Sequence, residues 1–234
     1  MKIVALILAR GGSKGVPRKN IKLLNGKPLL SYVLNEAIKC EVFDKIVVSS
    51  DDNEILRWVE DFSTIRDKRV HAIQRPPEFA TDTATSIDAV KHILTIIDAD
   101  YIVLLNACTP LTKAEDINGV VKIAWKTRPD SVVSLVEDFS CHPSKICRLG
   151  ENGEVINEHG FETAEREKLD KCYKRNTAIY MASKETIMSG TFFGQDTRGY
   201  VMPQSRSLDI NTMDDWKMAE YLLNNVETNQ NQAS

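Results

Sequence analysis

Four cations and three glycines crowd one short stretch near the start of the chain, Arg10-Gly11-Gly12-Ser13-Lys14-Gly15-Val16-Pro17-Arg18-Lys19-Asn20. Glycine lets a backbone come close to a ligand, and neighbouring N–H groups cradle oxyanions. Arg10, Lys14, Arg18 and Lys19 bring positive charge into the same loop. A phosphate-bearing ligand suits this chemistry. Two familiar phosphate loops do not fit. The P-loop requires G-x-x-x-x-G-K-[ST], but Gly15 is followed by Val16 and Pro17. The dinucleotide fingerprint requires G-x-G-x-x-G opening a helix, but the glycines stand at 11, 12 and 15 and the next helical pattern waits until about Pro28. An ordinary lysine-bearing surface loop is the plainer reading. The coincidence of charge, glycine and position argues against it.

The position comes from the elements around the loop. Residues 2–9 (KIVALILA) form a nearly unbroken apolar run, which predicts a strand buried on both faces of a parallel sheet. Further strands are predicted at 45–50, 69–73, 100–106 and 131–136, alternating with helices at 28–39, 53–62, 84–97 and 114–126. This alternation predicts an α/β, Rossmann-like doubly wound sheet, mainly parallel. In such a sheet the strand ends gather along one edge, where ligands bind. Loops 10–20, 51–53, 74–86 and 106–113 are therefore expected to build one composite site. The rhythm changes near residue 137. A hairpin around Gly150-Glu151-Asn152-Gly153, with strands at 143–149 and 154–157, a strand at 173–182 and a short helix at 185–188 are expected beyond it. Residues 137–200 are read as an inserted lobe or subunit contact. A last helix is predicted from Thr212, as N-cap, to about Asn225, with Asp214 and Asp215 in its first turn. Residues 1–226 are read as one domain and 227–234 as a flexible tail.

Composition narrows the partners. The chain has 234 residues and a formal net charge of −3, so no general basicity argues for nucleic acid. No apolar run approaches the ~20 residues of a membrane helix. The chain opens directly on its first strand, without a signal-peptide pattern. The five cysteines, at 40, 108, 141, 147 and 172, show no C-x-x-C pair and read as reduced thiols. A cytoplasmic protein is expected. Cys141, His142 and Cys147 lack a fourth zinc ligand at suitable spacing.

The stretch ILARGGSKGVPRKNIKLLNGKPLLSY, residues 7–32, closely resembles the opening motif of the acylneuraminate cytidylyltransferases, the CMP-sialic acid synthetase family. The resemblance extends over about residues 1–225. It implies a nucleotidyltransferase that moves CMP from CTP to a nine-carbon 2-keto sugar acid and releases pyrophosphate, with Mg2+ as cofactor and a homodimer as its assembly. Arg10 and Lys19 match residues that hold the triphosphate, with Gly11, Gly12, Ser13 and Lys14 beside them, and Asn20 matches a nucleotide contact. Arg75-Pro76-Pro77-Glu78-Phe79-Ala80-Thr81-Asp82 matches a segment bordering cytosine and ribose, with Phe79 in place of leucine. Backbone groups around Ala80 suit a base edge, and Arg75 suits a bidentate pair. Asp82 and Ser86 are weaker candidates, because a helix N-terminus explains them as well.

The same resemblance places the acceptor and the metal. Asn176 and Tyr180 match N-G-x-x-Y, with Thr177 replacing the glycine. Phe192 and Phe193 match an aromatic pair that packs on the acyl sugar near a dimer contact; read alone, they are core residues. Arg166, ten residues before Asn176, matches an arginine near sugar or nucleotide. Asp209-Ile210-Asn211 stands where the family has D-x-D for magnesium, with an amide in the second position. Leu105-Asn106-Ala107-Cys108-Thr109-Pro110-Leu111-Thr112 replaces L-Q-P-T-S-P-L-R. The shorter Asn106 and the loss of arginine at Thr112 make a legionaminic- or pseudaminic-type acid as good an expectation as sialic acid. Two rivals stay open: transfer to another sugar or alcohol, and a nucleotide-binding regulatory homologue without catalysis.

Overall fold

The computed structural model describes the backbone of residues 1–81, 83–160 and 169–232, and side chains as far as residue 225. Asp82 and Arg166, both expected at the site, lie outside the described residues.

β1 (Ile3–Leu8) shows why the layers form. Successive side chains of a strand point to opposite faces. Ile3, Ala5 and Ile7 enter one apolar cluster, and Val4 and Leu6 enter another. Both faces therefore need a helical cover. α1 (Leu29–Ile38) and α4 (Ala114–Thr127) supply buried residues to the first cluster, and α3 (Ser86–Ile96) supplies Val90 and Ile93 to the second. β4 (Lys45–Ser50), β5 (Val70–Gln74) and β6 (Tyr101–Leu105) pair in parallel around β1, with α2 (Asn53–Arg66) joining β4 to β5. The predicted strands of this half fall within a residue or two of those observed. The sequence reading passed over a small hairpin, β2 (Leu23–Leu24) and β3 (Lys27–Pro28), turned by Asn25 and Gly26 at φ +46 and +75. Positive φ at both positions is the two-residue hairpin turn that Asn-Gly favours.

The second half departs from the simple alternation. β7 (Ser131–Glu137) leads into 3₁₀ turns and a small hairpin of β8 (Arg148–Leu149) and β9 (Val155–Ile156). The strand expected over 143–149 is thus only two residues long, and a 3₁₀ turn at Pro143–Lys145 takes its start. β10 (Tyr173–Ser183) then enters the main sheet antiparallel to both β6 and β7. After α5 (Lys184–Met188), β11 (Thr197–Val201) adds an edge strand parallel to β7. The order is β11-β7-β10-β6-β1-β4-β5, a mainly parallel seven-stranded sheet. The expectation of one inserted lobe over 137–200 is corrected here, because 173–183 and 197–201 are strands of the central sheet. The reason is connectivity: β10 starts opposite Glu137, where β7 ends, with no crossover helix among the described residues between them to carry the chain back. Such a return runs antiparallel. α6 (Met213–Gln232) closes the chain and extends beyond the expected end near Asn225. Thr212 and Asp215 cap it reciprocally, with Asp215 N donating to Thr212 Oγ1 at 3.2 Å and Thr212 N to Asp215 Oδ2 at 2.8 Å. No helix among the described residues is long and apolar enough to cross a membrane.

Candidate active site

The glycine-rich loop leaves β1 at the carboxyl edge of the sheet and is pinned there by one apolar residue. Val16 is fully buried with Leu24, Leu29, Leu111, Ile210 and Trp216. This third cluster ties the loop to the segment that leads into α6. Gly15 crosses that segment so closely that a Cβ would lie 2.0 Å from the Asn211 carbonyl oxygen. Lys19 Nζ donates to the Ile210 carbonyl at 2.7 Å. The predicted phosphate loop and the predicted metal segment, 191 residues apart for that last contact, are thus one structure.

A cavity of about 480 Å³ opens beside the loop. Arg10, Gly12, Ser13, Lys19 and Asn20 form one side. Arg75, Ala80 and Ser86 form another, with Asn106 and Asn211 at its margins. Asn20 is oriented by its Nδ2, which donates to the Arg10 carbonyl at 2.9 Å. Arg75 is 4% exposed and donates to the hydroxyl and carbonyl of Ser49. Burial pushes its guanidinium below the ordinary value; Asp51 opposes that shift and Arg10 adds to it. Two of Arg75's donors are therefore committed to the strand end, which limits the bidentate pair expected of it. Cys108, also on the cavity wall, has its thiol pushed up by burial against the opposing pull of Lys19.

Three members of the loop are placed elsewhere. Gly11 N donates to Asp51 Oδ1 at 3.0 Å, and a Cβ on Gly11 would meet Asp52 at 2.5 Å. Gly11 thereby lets β1 and β4 end side by side, and it is not among the residues lining the cavity. Lys14 is not among the residues lining the cavity. Arg18, at φ +51, turns away and pairs with Asp52 and Glu54 at the start of α2.

A second cavity, of about 520 Å³, shares Leu8, Thr85, Ser86 and Asn106 with the first. Tyr180, Phe192 and Phe193 wall it, with ring centroids 5.8 and 6.2 Å from Tyr180. Phe192 is half-buried against the core and Phe193 is 39% exposed, so the pair is not simply core. Arg175 is the one charged residue on this wall among the described residues, with its guanidinium 5.0 Å from the Phe193 ring centroid. Nothing in Lys174-Arg175-Asn176 marks, in sequence, which cation faces inward. Burial pushes the Tyr180 hydroxyl up, and Arg175 opposes it. Thr112 is fully buried and donates to Thr109 within its own turn, so it faces neither cavity.

Asn176, expected at the acceptor, lines neither of these two cavities. It is 4% exposed, and its amide is committed to the protein. Oδ1 accepts from Ser134 Oγ at 2.6 Å, and Nδ2 donates to Ser207 Oγ at 2.9 Å and meets Met202 Sδ at 3.1 Å. It fastens the start of β10 to β7 and to the segment before Asp209. The next residue, Thr177, sits at φ +62 where the strand register breaks between Arg175 and Tyr180. That region disfavours a β-branched side chain, at a cost of order 1–3 kcal/mol. Its hydroxyl lies 2.9 Å from Asp209 Oδ2, which also accepts from Asn211 Nδ2 at 3.0 Å. Asp209 Oδ1 is buried with no hydrogen-bond partner among the described residues. A carboxylate oxygen in that state fits a hard cation. No group of three or more metal-ligating side chains occurs among the described residues. A cation here would therefore rest on one carboxylate, the Asn211 amide, water and ligand oxygens.

The chain is similar to known proteins over nearly its whole length. Residues 4–227 match the family model described as cytidylyltransferase. An N-acylneuraminate cytidylyltransferase of Streptococcus agalactiae serotype V is 34% identical over 220 residues, covering 92% of this chain and 52% of that protein. The chain spans about half the length of that relative. A CMP-N,N'-diacetyllegionaminic acid synthase of Legionella pneumophila is 33% identical over 231 residues, covering 95% of this chain and 97% of that protein. The solved structure of a CMP:2-keto-3-deoxy-manno-octonic acid synthetase complexed with CTP superposes with a TM-score of 0.75 over 96% of this chain and 99% of its own, at 15% identity, and so shares the fold. With a family match that runs from β1 into α6, and relatives about a third identical over nearly its whole length, the chain belongs to the cytidylyltransferase family.

Proposed function

We infer that this chain transfers CMP from CTP to a nonulosonic, sialic-acid-like 2-keto sugar acid and releases pyrophosphate. One observation carries the reading: a cationic, glycine-lined cavity and an aromatic-walled cavity meet along Leu8, Thr85, Ser86 and Asn106, and Thr177 on the aromatic wall bonds Asp209 behind it. Arg10 and Lys19 face the triphosphate and counter the charge that grows as pyrophosphate leaves. Ala80 and Ser86 border the base and ribose. Phe192, Phe193 and Tyr180 pack on the sugar, and Arg175 meets its carboxylate. Asn106 lies at the junction and aligns the two substrates.

The acceptor's anomeric oxygen forms a bond to the α-phosphorus while the α–β bridging bond breaks and its electron pair leaves with pyrophosphate. The acceptor's own carboxylate, next to the anomeric carbon, suits taking the hydroxyl proton. Positioning and charge neutralisation supply the rate. Asp209, with the Asn211 amide beside it, would hold magnesium, which supplies charge neutralisation at the phosphates. Ile146, Leu149, Val155 and Ile156, in and beside the β8–β9 hairpin, expose apolar side chains, which supports a homodimer contact there.

The test is pyrophosphate release from CTP, UTP, GTP and ATP, each with a panel of sialic, legionaminic and pseudaminic acids. Release with CTP and at least one such acid is expected. Release with none of them, or only with a neutral sugar or alcohol, overturns the reading.

A further inference from the structure

Thr177 is an anomaly on two counts. A β-branched residue holds a left-handed conformation that glycine adopts without strain, and its side chain lies against the carboxylate with the orphaned oxygen. Strain of this kind persists where the surrounding structure enforces it. Here the enforcement is visible. Asn176 is bonded on three sides, and the register of β10 breaks across Thr177.

We propose that Thr177 is a positioning residue for Asp209, its hydroxyl holding Oδ2 so that Oδ1 alone is turned to the magnesium–nucleotide site. The hydroxyl has one proton and two acceptors in reach, Asp209 Oδ2 at 2.9 Å and the Asn176 carbonyl at 2.7 Å. An ionised carboxylate is the stronger acceptor, so the proton goes to Asp209. Asn211 Nδ2 donates to the same Oδ2 from the other flank. Two donors on one oxygen fix the carboxylate plane and leave the other oxygen bare. The groups that orient a ligating carboxylate raise metal affinity about 10–100-fold in general. Thr177 also lines the aromatic cavity, so the residue that orients Asp209 touches the acceptor space as well. The departure from glycine at this position thus adds a donor to the site instead of removing catalysis.

This inference rests on the metal assignment above, and its test separates the two. Magnesium is titrated calorimetrically into the protein with saturating CTP and no acceptor, for wild type and for Thr177→Val, Thr177→Ser and Thr177→Gly. Valine keeps the shape and the strain but has no hydroxyl. Serine keeps the hydroxyl with less crowding. Glycine removes the hydroxyl and relieves the strain, so it folds even where valine does not. Loss of about 10–100-fold in magnesium affinity in the valine and glycine variants is expected, with serine near wild type and CTP affinity without magnesium unchanged in all. Wild-type affinity in the glycine variant, or equal loss in the serine variant, overturns the proposal while leaving the cytidylyltransferase reading intact. Absence of CTP-dependent magnesium binding in wild type overturns the proposal together with the metal assignment. Pyrophosphate release with the acid panel then judges the function on its own.

Discussion

The two halves of the site are built by different means. On the nucleotide side, β1, β4, β5 and β6 run parallel, and their ends deliver consecutive short loops to one edge. On the acceptor side, β10 runs antiparallel, its register breaks, and the groups that matter meet through side chains from distant parts of the chain. The first arrangement follows from sheet topology alone. The second depends on individual buried hydrogen bonds. Substitutions on the nucleotide side should therefore damage chemistry and spare the fold, whereas several on the acceptor side should damage the fold or only the use of the acid.

The largest effect is expected at the joint between the halves. Asp209→Asn should lower turnover by about 10³-fold if, as proposed, this carboxylate holds magnesium at the phosphates. Asn211→Asp should keep activity, its added carboxylate offsetting as a magnesium ligand the Nδ2 donor that Asp209 loses. Full activity in Asp209→Asn, measured by pyrophosphate release, would put the metal elsewhere. Lys19→Ala comes next, with kcat lower by about 10²-fold and little change in Tm. Its partner is a backbone carbonyl on a segment already held by the Ile210 core contact. Normal turnover in this variant would remove the triphosphate from the loop.

Arg175→Ala and Phe193→Ala test the acceptor side. Each should raise the KM of the acid about tenfold, roughly 1.4 kcal/mol, while the KM of CTP stays put. Equal loss for both substrates, with a fall in Tm, would return these residues to the core. Asn176→Ala should do the reverse. It strands Ser134 and Ser207 in a buried network, which costs roughly 2–4 kcal/mol of stability, yet turnover per folded molecule should hold. A raised KM with unchanged Tm would restore Asn176 to the acceptor.

The same contrast explains what was legible in the sequence. β1, β4 and β6 announce themselves as apolar runs, because each is buried on both faces. The loop after β1 gathers its cations and glycines in adjacent residues, so it stands out in the sequence, and Arg10, Gly12, Ser13, Lys19 and Asn20, with roles that the family resemblance implies, line one cavity. β11 could not, because Thr197–Val201 lies at an edge with most of its side chains exposed and no alternation to read. The direction of β10 depends on where β7 leaves the chain, which no local pattern records. The committed amide of Asn176 and the Thr177–Asp209 contact, 32 residues apart in sequence, are properties of the folded sheet. Gly11 shows the converse hazard. Its glycine leads one to expect a close approach to a ligand, whereas the approach the fold shows is to Asp52.

The smallest effect separates the loop's own cations. Arg18 sits in the same cationic run as Lys19, yet Nη1 donates to Asp52 Oδ2 at 2.9 Å and Nη2 to Glu54 Oε2 at 2.7 Å, with about half its side chain in solvent. Arg18→Ala should leave turnover within about twofold, since exposed ion pairs contribute little. Asp52 stays in place because its Oδ1 still caps α2 through the N–H groups of Glu54 and Ile55. The guanidinium of Arg18 holds the Asp52 carboxyl below its ordinary value, against an opposing push from burial and with help from those two N–H groups. A carboxyl lowered in the folded state stabilises fully above its unfolded pKa, and that share is lost as the pH falls through the folded value. The small Tm difference between wild type and Arg18→Ala should therefore be present at neutral pH and vanish in acid. Thermal melts at both ends of that range measure it directly. A hundredfold loss of turnover at neutral pH would instead mean that Arg18 swings from α2 to the phosphates when nucleotide binds. The line drawn between chemistry and scaffold inside this loop would then fall at a different residue.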